Sequence, residues 1–445
     1  MHSMHGLFRS KNLELGRNED TGGQIVYVLE LAKALGQLSQ VDKVDIITRR
    51  LIDTGYPGYS KKIEKVSDKV SIIRIECGPE KYIRKVELWP YLPQFIENVK
   101  KYIRKIRRAP DILHSNYADS GLVCSILSEE LGIPQVHTGH SLGIPKMKRL
   151  GVNHENARKF NKVFHFDKRI KAEQKVIDHA KAIIASTNEE IREQYSGYKI
   201  KRHMAKFRLI TPGIDLNKFH PPSKHVPTEK ELSNRQLFQN IIDQNLKYRK
   251  RAIITTLSRL DKRKNIYGLI KAYAHDPALK RMANLVIFAE TLIGGPEEQK
   301  IISKINSTVR KTNLYEHIAM PAVHLEYETQ VPDYYRFIAE KKGVFINPAL
   351  IEPFGLTVIE AMASGAVVVA TKHGGPSEII KHGVNGFLVD PKKPKEMAKL
   401  LRKIIRNRQL LNKVSKNGAA SARKKYAWET SAKKYLTVFR EALKK

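Results

Sequence analysis

Short runs rich in β-branched residues recur through the first half of the chain, at Val44 to Thr48, Ile72 to Ile75, Asp111 to His114, Val136 to Thr138 and Ile183 to Ser186. Each is followed by a glycine-bearing or polar turn and then by apolar positions at helical spacing. Runs that stay apolar instead of alternating belong to strands covered on both faces, so the pattern predicts a parallel sheet with helices on each side. A polar stretch at 214–250, with Pro221-Pro222 and Pro227, breaks the series and reads as a connection plus a surface helix. A second series follows at Ile253 to Leu257, Leu285 to Ala289, Val323 to Tyr327, Val344 to Asn347, Val367 to Ala370 and Phe387 to Val389. The expected fold class is therefore α/β, with two doubly wound domains at 1–213 and 251–426. Over 427–445, Trp428, Ala432, Tyr435, Leu436, Phe439 and Leu443 share one face of a final amphipathic helix.

Length and composition agree with two cores. A chain of 445 residues exceeds what one hydrophobic core usually supports, and 41% hydrophobic residues supply material for two. Cys77 and Cys124 are too few for a disulfide framework or a cysteine-based zinc site, which favours a reducing compartment. No run of about 18 apolar residues and no long apolar N-terminal segment is present, so the protein is expected to be cytoplasmic.

Candidate chemistry falls beyond the carboxyl ends of the expected strands, where open α/β sheets bind ligands. His140 follows the strand at 136–138, Arg259 that at 253–257 and Glu352 that at 344–347; two such rims facing each other would make a cleft. In Ile351-Glu352-Pro353-Phe354-Gly355-Leu356-Thr357-Val358-Ile359-Glu360-Ala361-Met362, two carboxylates eight positions apart bracket a turn into an apolar helix. About two turns separate such positions, a spacing that can put both carboxylates along one side of the helix, with the first expected just ahead of the helix N-terminus, which favours a phosphate. Asp20-Thr21-Gly22-Gly23-Gln24 opens another helix, and its paired glycines let a ligand approach the backbone.

Four stretches together carry a family resemblance over nearly the whole chain. They are His5-Gly6-Leu7 with Glu14-Leu15-Gly16-Arg17 and Asp20-Thr21-Gly22-Gly23-Gln24; Thr138-Gly139-His140-Ser141-Leu142-Gly143 with Lys146; Ser258-Arg259-Leu260-Asp261 with Lys264-Asn265; and the paired-glutamate segment. The sequence resembles the sucrose-phosphate synthase family of retaining GT-B glycosyltransferases. The resemblance implies two Rossmann-like domains facing across a cleft, an N-terminal acceptor-binding one and a C-terminal nucleotide-sugar one, with the last helix returning to the first. It implies transfer of glucose from UDP-glucose to fructose 6-phosphate, giving sucrose 6-phosphate and UDP, with no cofactor and no essential metal; no Asp-x-Asp metal motif is present.

The resemblance also distributes roles. His140 contacts the transferred sugar. Arg259 and Lys264 neutralise the departing diphosphate, Glu352 meets the sugar hydroxyls or developing positive charge, and Glu360 holds the ribose. Gly23, Phe354, Gly355 and Leu356 complete the donor side. Gly22, Gln24, Lys85, Tyr117, Ser141, Lys146, Lys168 and Arg169 form the acceptor pocket; Lys168 stands where relatives often have arginine, and a lysine does not grip phosphate as a fork. Mannosylfructose-phosphate synthase, sucrose synthase and a glycolipid glycosyltransferase are alternatives in the same class. Sucrose synthase fits less well because Lys85, Lys146 and Arg169 look like a phosphate pocket that free fructose does not need.

The formal charge of +35 exceeds what a diphosphate and a monophosphate require. Solubilising helix surfaces, attraction to an anionic membrane or other polyanion, and nucleic-acid binding compete to explain it; no nucleic-acid motif accompanies the charge, so specific binding of that kind is not expected. A non-catalytic polyanion- or membrane-binding protein on the same fold is the reading from another class, disfavoured by intact Arg259, Lys264, Glu352 and Glu360. Two departures from the family stand out. Only Met1 to Met4 precede the His-Gly segment, so the first strand is expected to be nearly absent, and either the true start to lie upstream or the chain to be less stable than a longer one. A phosphatase-like extension is missing, which implies a separate phosphatase acting downstream.

Overall fold

The computed structural model describes residues 1–444 apart from Gly16, Glu19, 223–225 and 290–295, and the side chains of Pro296 and Glu297. Gly16 of the first motif therefore lies outside the described residues. The chain divides into two compact units, Met1–Gly213 with Trp428–Lys445, and Ile214–Ala427.

In the first unit β1 (Val44–Arg49), β3 (Val70–Ile75) and β2 (Ile63–Lys65) lie in the order β1-β3-β2, and β4 (Leu113–Asn116), β5 (Gln135–Thr138), β6 (Ala182–Ala185) and β7 (Phe207–Leu209) lie in chain order. All pairs are parallel except β2 with β3. The stretch Met1–Met4 fills the space between β1 and β4. His2 bridges in parallel to both Ile47 and Ser115. Its N–H donates to the His114 carbonyl at 2.7 Å, and the Ser3 N–H donates to that of Ile47 at 3.0 Å. Four residues, two of them polar, thus hold a central strand's place through backbone bonds on both sides. The α-amino group donates to the Asp45 carbonyl at 2.7 Å, and burial lowers its pKa.

The helix Gly23–Gly36 and the final helix Trp428–Lys444 share the first unit's core, where Ile25, Val28 and Leu29 meet Ala432, Tyr435 and Val438. Gly213 permits this return: a Cβ there would sit 2.4 Å from the Trp428 Cα. The buried face differs from the expected one at its end. Leu443 is 51% exposed while Val438 and Ala442 are buried, because the stripe through 428, 432, 435, 439 and 442 leaves Leu443 one residue, about 100°, off the face.

In the second unit β8 (Ala252–Leu257), β9 (Ala283–Phe288), β10 (Ile318–Ala319), β11 (Val344–Asn347), β12 (Val367–Thr371) and β13 (Phe387–Val389) form an all-parallel sheet in the order β10-β9-β8-β11-β12-β13. Chain order reverses between β8 and β11, which makes that junction the switch point where such sheets bind ligands. The strand expected at Val323–Tyr327 does not form. Its alternation is real, with Leu325 buried between exposed His324 and Glu326, but the sheet edge is taken by β10 and a bridge from Ala322 to Ala289. The stretch 214–250 packs within this unit: the helix Glu229–Asn245, capped by Thr228 and Glu231, buries Phe238, Ile241 and Ile242. Among the described residues no helix is long and apolar enough to cross a membrane.

Candidate active site

In the first unit the residues after Met1–Met4, β4 and β5 converge on a pocket of about 370 Å³. Gly22 and Gly23 lie at its edge, where the helix Gly23–Gly36 starts without a side-chain cap and a Cβ on either glycine would meet nothing within 4 Å. Gln24 turns inward: its Oε1 lies 3.1 Å from His5 Nε2, and His5 Nδ1 lies 2.6 Å from the buried Asp119 carboxylate. Tyr117 starts the helix after β4 with φ +75°, a sparsely populated conformation for an aromatic residue. Charged neighbours flank its ring, the Arg169 guanidinium 4.7 Å and Lys85 Nζ 5.5 Å from the centroid.

Lys85 is fixed by Asp20. The ammonium lies 2.9 Å from Asp20 Oδ1, while Oδ2 accepts from the Lys85 N–H and the Tyr82 hydroxyl, each at 2.8 Å. Burial alone would raise the Asp20 carboxyl; the charges of Lys85 and His5 hold it below the usual carboxylate range. His140 leaves β5 with φ +56°, its Nε2 2.9 Å from Asn116 Oδ1 and its ring edge-on to Tyr27 at 4.9 Å. Burial, reinforced by His137 and His5, pushes its pKa down to about 3, so the ring is neutral at physiological pH.

Ser141 and Lys146 line the same pocket, Lys146 with its ammonium 4.2 Å over the Phe164 ring. The two expected cations on the helix Phe166–His179 do not line it. Arg169 is 4% exposed and acts as a brace, donating from Nε to Glu173 at 2.9 Å and from Nη2 to the Ser141 carbonyl at 2.7 Å. Lys168, beside it in sequence, points to solvent. Three further lining residues had no role assigned from sequence: His5, Asp20 and Arg149. The first two stand inside the quoted motifs, and Arg149 lies one helical turn after Lys146, a spacing that puts both on one face.

In the second unit Lys264 and Glu352 come together at the switch point between β8 and β11. Lys264 Nζ donates to Glu352 Oε2 at 2.7 Å, and Asn347 Nδ2 reaches the same oxygen at 3.2 Å. The Lys262–Lys264 turn is capped by Asp261, whose Oδ1 accepts from the Lys264 N–H at 2.9 Å. Arg259 stands apart, its side chain 67% exposed and 4.0 Å from Asp261. Glu352 lies in a bridge to Gly374, ahead of the helix Leu356–Ala363 as expected, while Glu360 lies within that helix. Gly374 has φ +99°, and a Cβ there would fall 2.1 Å from the Glu352 carbonyl, so this position requires glycine. Phe354 is half-buried, and Gly355 enters the helix at φ +100° as its uncapped N-terminus, followed by Leu356.

Glu360 is buried inside that helix, accepting from the hydroxyls of Tyr327 at 2.8 Å and Tyr335 at 3.5 Å. Burial outweighs both hydroxyls and raises its pKa to about 7. Stability from this group is fully present below its ordinary value of 4.5 and is lost as pH rises through about 7. Glu360→Gln should therefore stabilise the second unit at pH 8 by up to about 3 kcal/mol and flatten its pH dependence across that window, as scanning calorimetry would show. Loss of UDP affinity in the same variant would reveal a ribose role.

Residues 1–216 match the family model for the first GT-B domain of sucrose synthase, and residues 238–421 match that for group 1 glycosyl transferases. Two α/β units matched by these two models define the chain as one of GT-B glycosyltransferase type. The probable sucrose-phosphate synthase of Vicia faba is 35% identical over 98% of this chain and 46% of its own length, and the Spinacia oleracea enzyme is 34% identical over the same shares. The chain thus spans about half the length of the curated relatives it matches. Among solved structures, sucrose-phosphate synthase from Thermosynechococcus elongatus gives a TM-score of 0.71 at 26% identity, covering 95% of this chain and 94% of that one. The chain belongs to the sucrose-phosphate synthase family.

Proposed function

We propose that this chain is a retaining glucosyltransferase that moves glucose from UDP-glucose to fructose 6-phosphate, producing sucrose 6-phosphate and UDP in the cytoplasm. The observation that carries the acceptor half is the cationic pocket of the first unit, where Lys146 and Ser141 stand beside the Gly22-Gly23 loop and the neutral ring of His140. A sugar phosphate needs such cations, and a free hexose does not.

In the reaction the bond between the glucose anomeric carbon and the β-phosphate oxygen breaks, and its electron pair stays on UDP. The acceptor hydroxyl attacks the same face of the sugar and passes its proton to a leaving phosphate oxygen, which accounts for retention without a protein nucleophile. Negative charge grows on the diphosphate in this step, and fixed cations stabilise it more in the transition state than in the ground state. Lys264 and Arg259 have that task in our reading. Glu352, held by Lys264 and Asn347, faces the sugar hydroxyls, and no metal ion is assigned to the step.

The test is direct. Purified protein is incubated with UDP-glucose and either fructose 6-phosphate or fructose, and UDP and the disaccharide are identified. Sucrose 6-phosphate is the expected product, and Lys146→Ala should raise KM for fructose 6-phosphate by about tenfold or more with little change for UDP-glucose. Equal or faster transfer to free fructose would favour the sucrose synthase reaction, the reading to which the match of residues 1–216 also points.

A further inference from the structure

We propose that Phe164 is a positioning residue for the acceptor site: the face of its ring holds the Lys146 side chain at the pocket. The inference rests on the sugar-phosphate reading above and adds a residue that acts through Lys146 without lining the pocket itself. Lys146 Nζ lies 4.2 Å from the centroid of the Phe164 ring, inside the range of about 6 Å over which a ring face attracts an ammonium. Both partners are tied to one helix, Phe166–His179. The helix Gly143–Arg149, which carries Lys146, starts with the Gly143 N–H donating to the two Glu173 oxygens at 3.1 and 3.0 Å, and a Cβ on Gly143 would fall 2.9 Å from one of them. Phe164 ends the helix Ala157–Phe164, and a single residue, His165 at φ +49°, joins it to Phe166–His179. The helix Ala157–Phe164 buries none of its own residues, so neighbouring rings hold its last one: Phe160 stacked at 6.2 Å and the buried Phe166 at 5.4 Å.

Confining a flexible lysine stem before the ligand arrives removes part of the ordering cost from binding. A carboxylate does this by offsetting the charge, as Asp20 does for Lys85 at 2.9 Å. A neutral ring confines the ammonium without bringing negative charge to the pocket. Lys146 has a further partner in the protein, and the part of the ring is to restrict where the ammonium sits. Acceptor affinity should therefore follow the electron density of the ring face, which sets the strength of the contact.

The experiment is isothermal titration of fructose 6-phosphate into the wild-type chain, Phe164→Leu, Phe164→Tyr and a chain with Phe164 replaced by trifluorophenylalanine, whose ring is electron-poor but nearly unchanged in shape. Melting followed by the fluorescence of Trp89 and Trp428, both in the first unit, checks the fold of each. Phe164→Leu should weaken fructose 6-phosphate by about threefold to tenfold, the fluorinated ring should reproduce most of that loss, and Phe164→Tyr should recover most of the affinity. In a Lys146→Ala background Phe164→Leu should cost nothing further, since the pair acts as one unit. If Phe164→Leu melts early, the fluorinated ring carries the test. Wild-type affinity with the fluorinated ring, or an equal cost of Phe164→Leu with and without Lys146, overturns the positioning role while the acceptor reading stands. Tighter binding by Phe164→Leu overturns it as well, because the ring would then be holding the ammonium back. A wild-type chain that binds UDP-glucose but not fructose 6-phosphate overturns the acceptor reading, and the role of Phe164 with it.

Discussion

Replacing Lys264 with alanine is expected to lower glucosyl transfer by at least about a hundredfold while leaving the second unit folded. The ammonium is only 17% exposed and lies 2.7 Å from Glu352, at the switch point of a parallel sheet. A preorganised cation aimed at a developing oxyanion contributes several kcal/mol to the barrier, and about 1.4 kcal/mol is a factor of ten in rate. The substitution also leaves the Glu352 carboxylate with Asn347 as its remaining side-chain partner. That half-satisfied state costs on the order of 1–3 kcal/mol of stability, discounted for the pair's partial exposure. Arg259 separates the two effects. Its side chain is 67% exposed, so Arg259→Ala should slow turnover with no measurable change in melting temperature. Single-turnover rates and thermal scans of both variants provide the check, and near-normal turnover in both would remove the diphosphate role from this site.

Much of this architecture was legible because burial on both faces writes a continuous signal. β12 reads Val-Val-Val-Ala-Thr, and all of it is buried. Alternation proved weaker evidence: Val323 to Tyr327 carries a strand's period of burial, yet the edge position it would need is already filled. Met1–Met4 shows the reverse case. Met-His-Ser-Met has no strand pattern, and only the carbonyls and amides of two flanking strands give it one. The site divides similarly. Residues inside glycine-bearing motifs were found because motif spacing fixes their neighbours, whereas the need for glycine at Gly374 depends on its close approach to Glu352, which sequence spacing does not reveal. The brace made by Arg169 was hidden for a related reason, since a charge four residues from Glu173 looks the same whether it faces a ligand or its own helix. The tyrosines that hold Glu360, 25 and 33 positions away, left no local trace.

Acidification should unfold the first unit before any single substitution would, and the cause is a cluster of neutral histidines. Burial drives the pKa of His137 and of His140 down to about 3, and those of His2 and His114 well below the ordinary 6.5. Below pH 6.5 the unfolded chain takes up protons at these rings and the folded chain does not, so stability falls as pH drops from 6.5 toward 3. Glu190 works in the opposite direction. Burial raises its pKa to about 7, so its contribution is lost as pH rises through that value and regained on acidification to 4.5. Each group is worth about 1.4 kcal/mol per pH unit, so His137 and His140 against Glu190 leave a net loss of about 1.4 kcal/mol per unit between pH 6.5 and 4.5, and His2 and His114 act in the same direction. Below pH 4.5 Glu190 no longer offsets the histidines and the loss steepens, so a domain stable by about 5–15 kcal/mol should lose its structure at about pH 4 to 5. Trp89 and Trp428 both belong to the first unit, so tryptophan fluorescence reports on it alone. An acid titration at constant ionic strength should show a cooperative red shift in this range. The midpoint should move to lower pH in His137→Gln, which removes one titrating ring while an amide remains to face the Ser115 hydroxyl, now 2.8 Å from Nδ1. Fluorescence unchanged down to about pH 4 would mean that these rings are protonated in the folded protein, and the predicted slope would then be wrong.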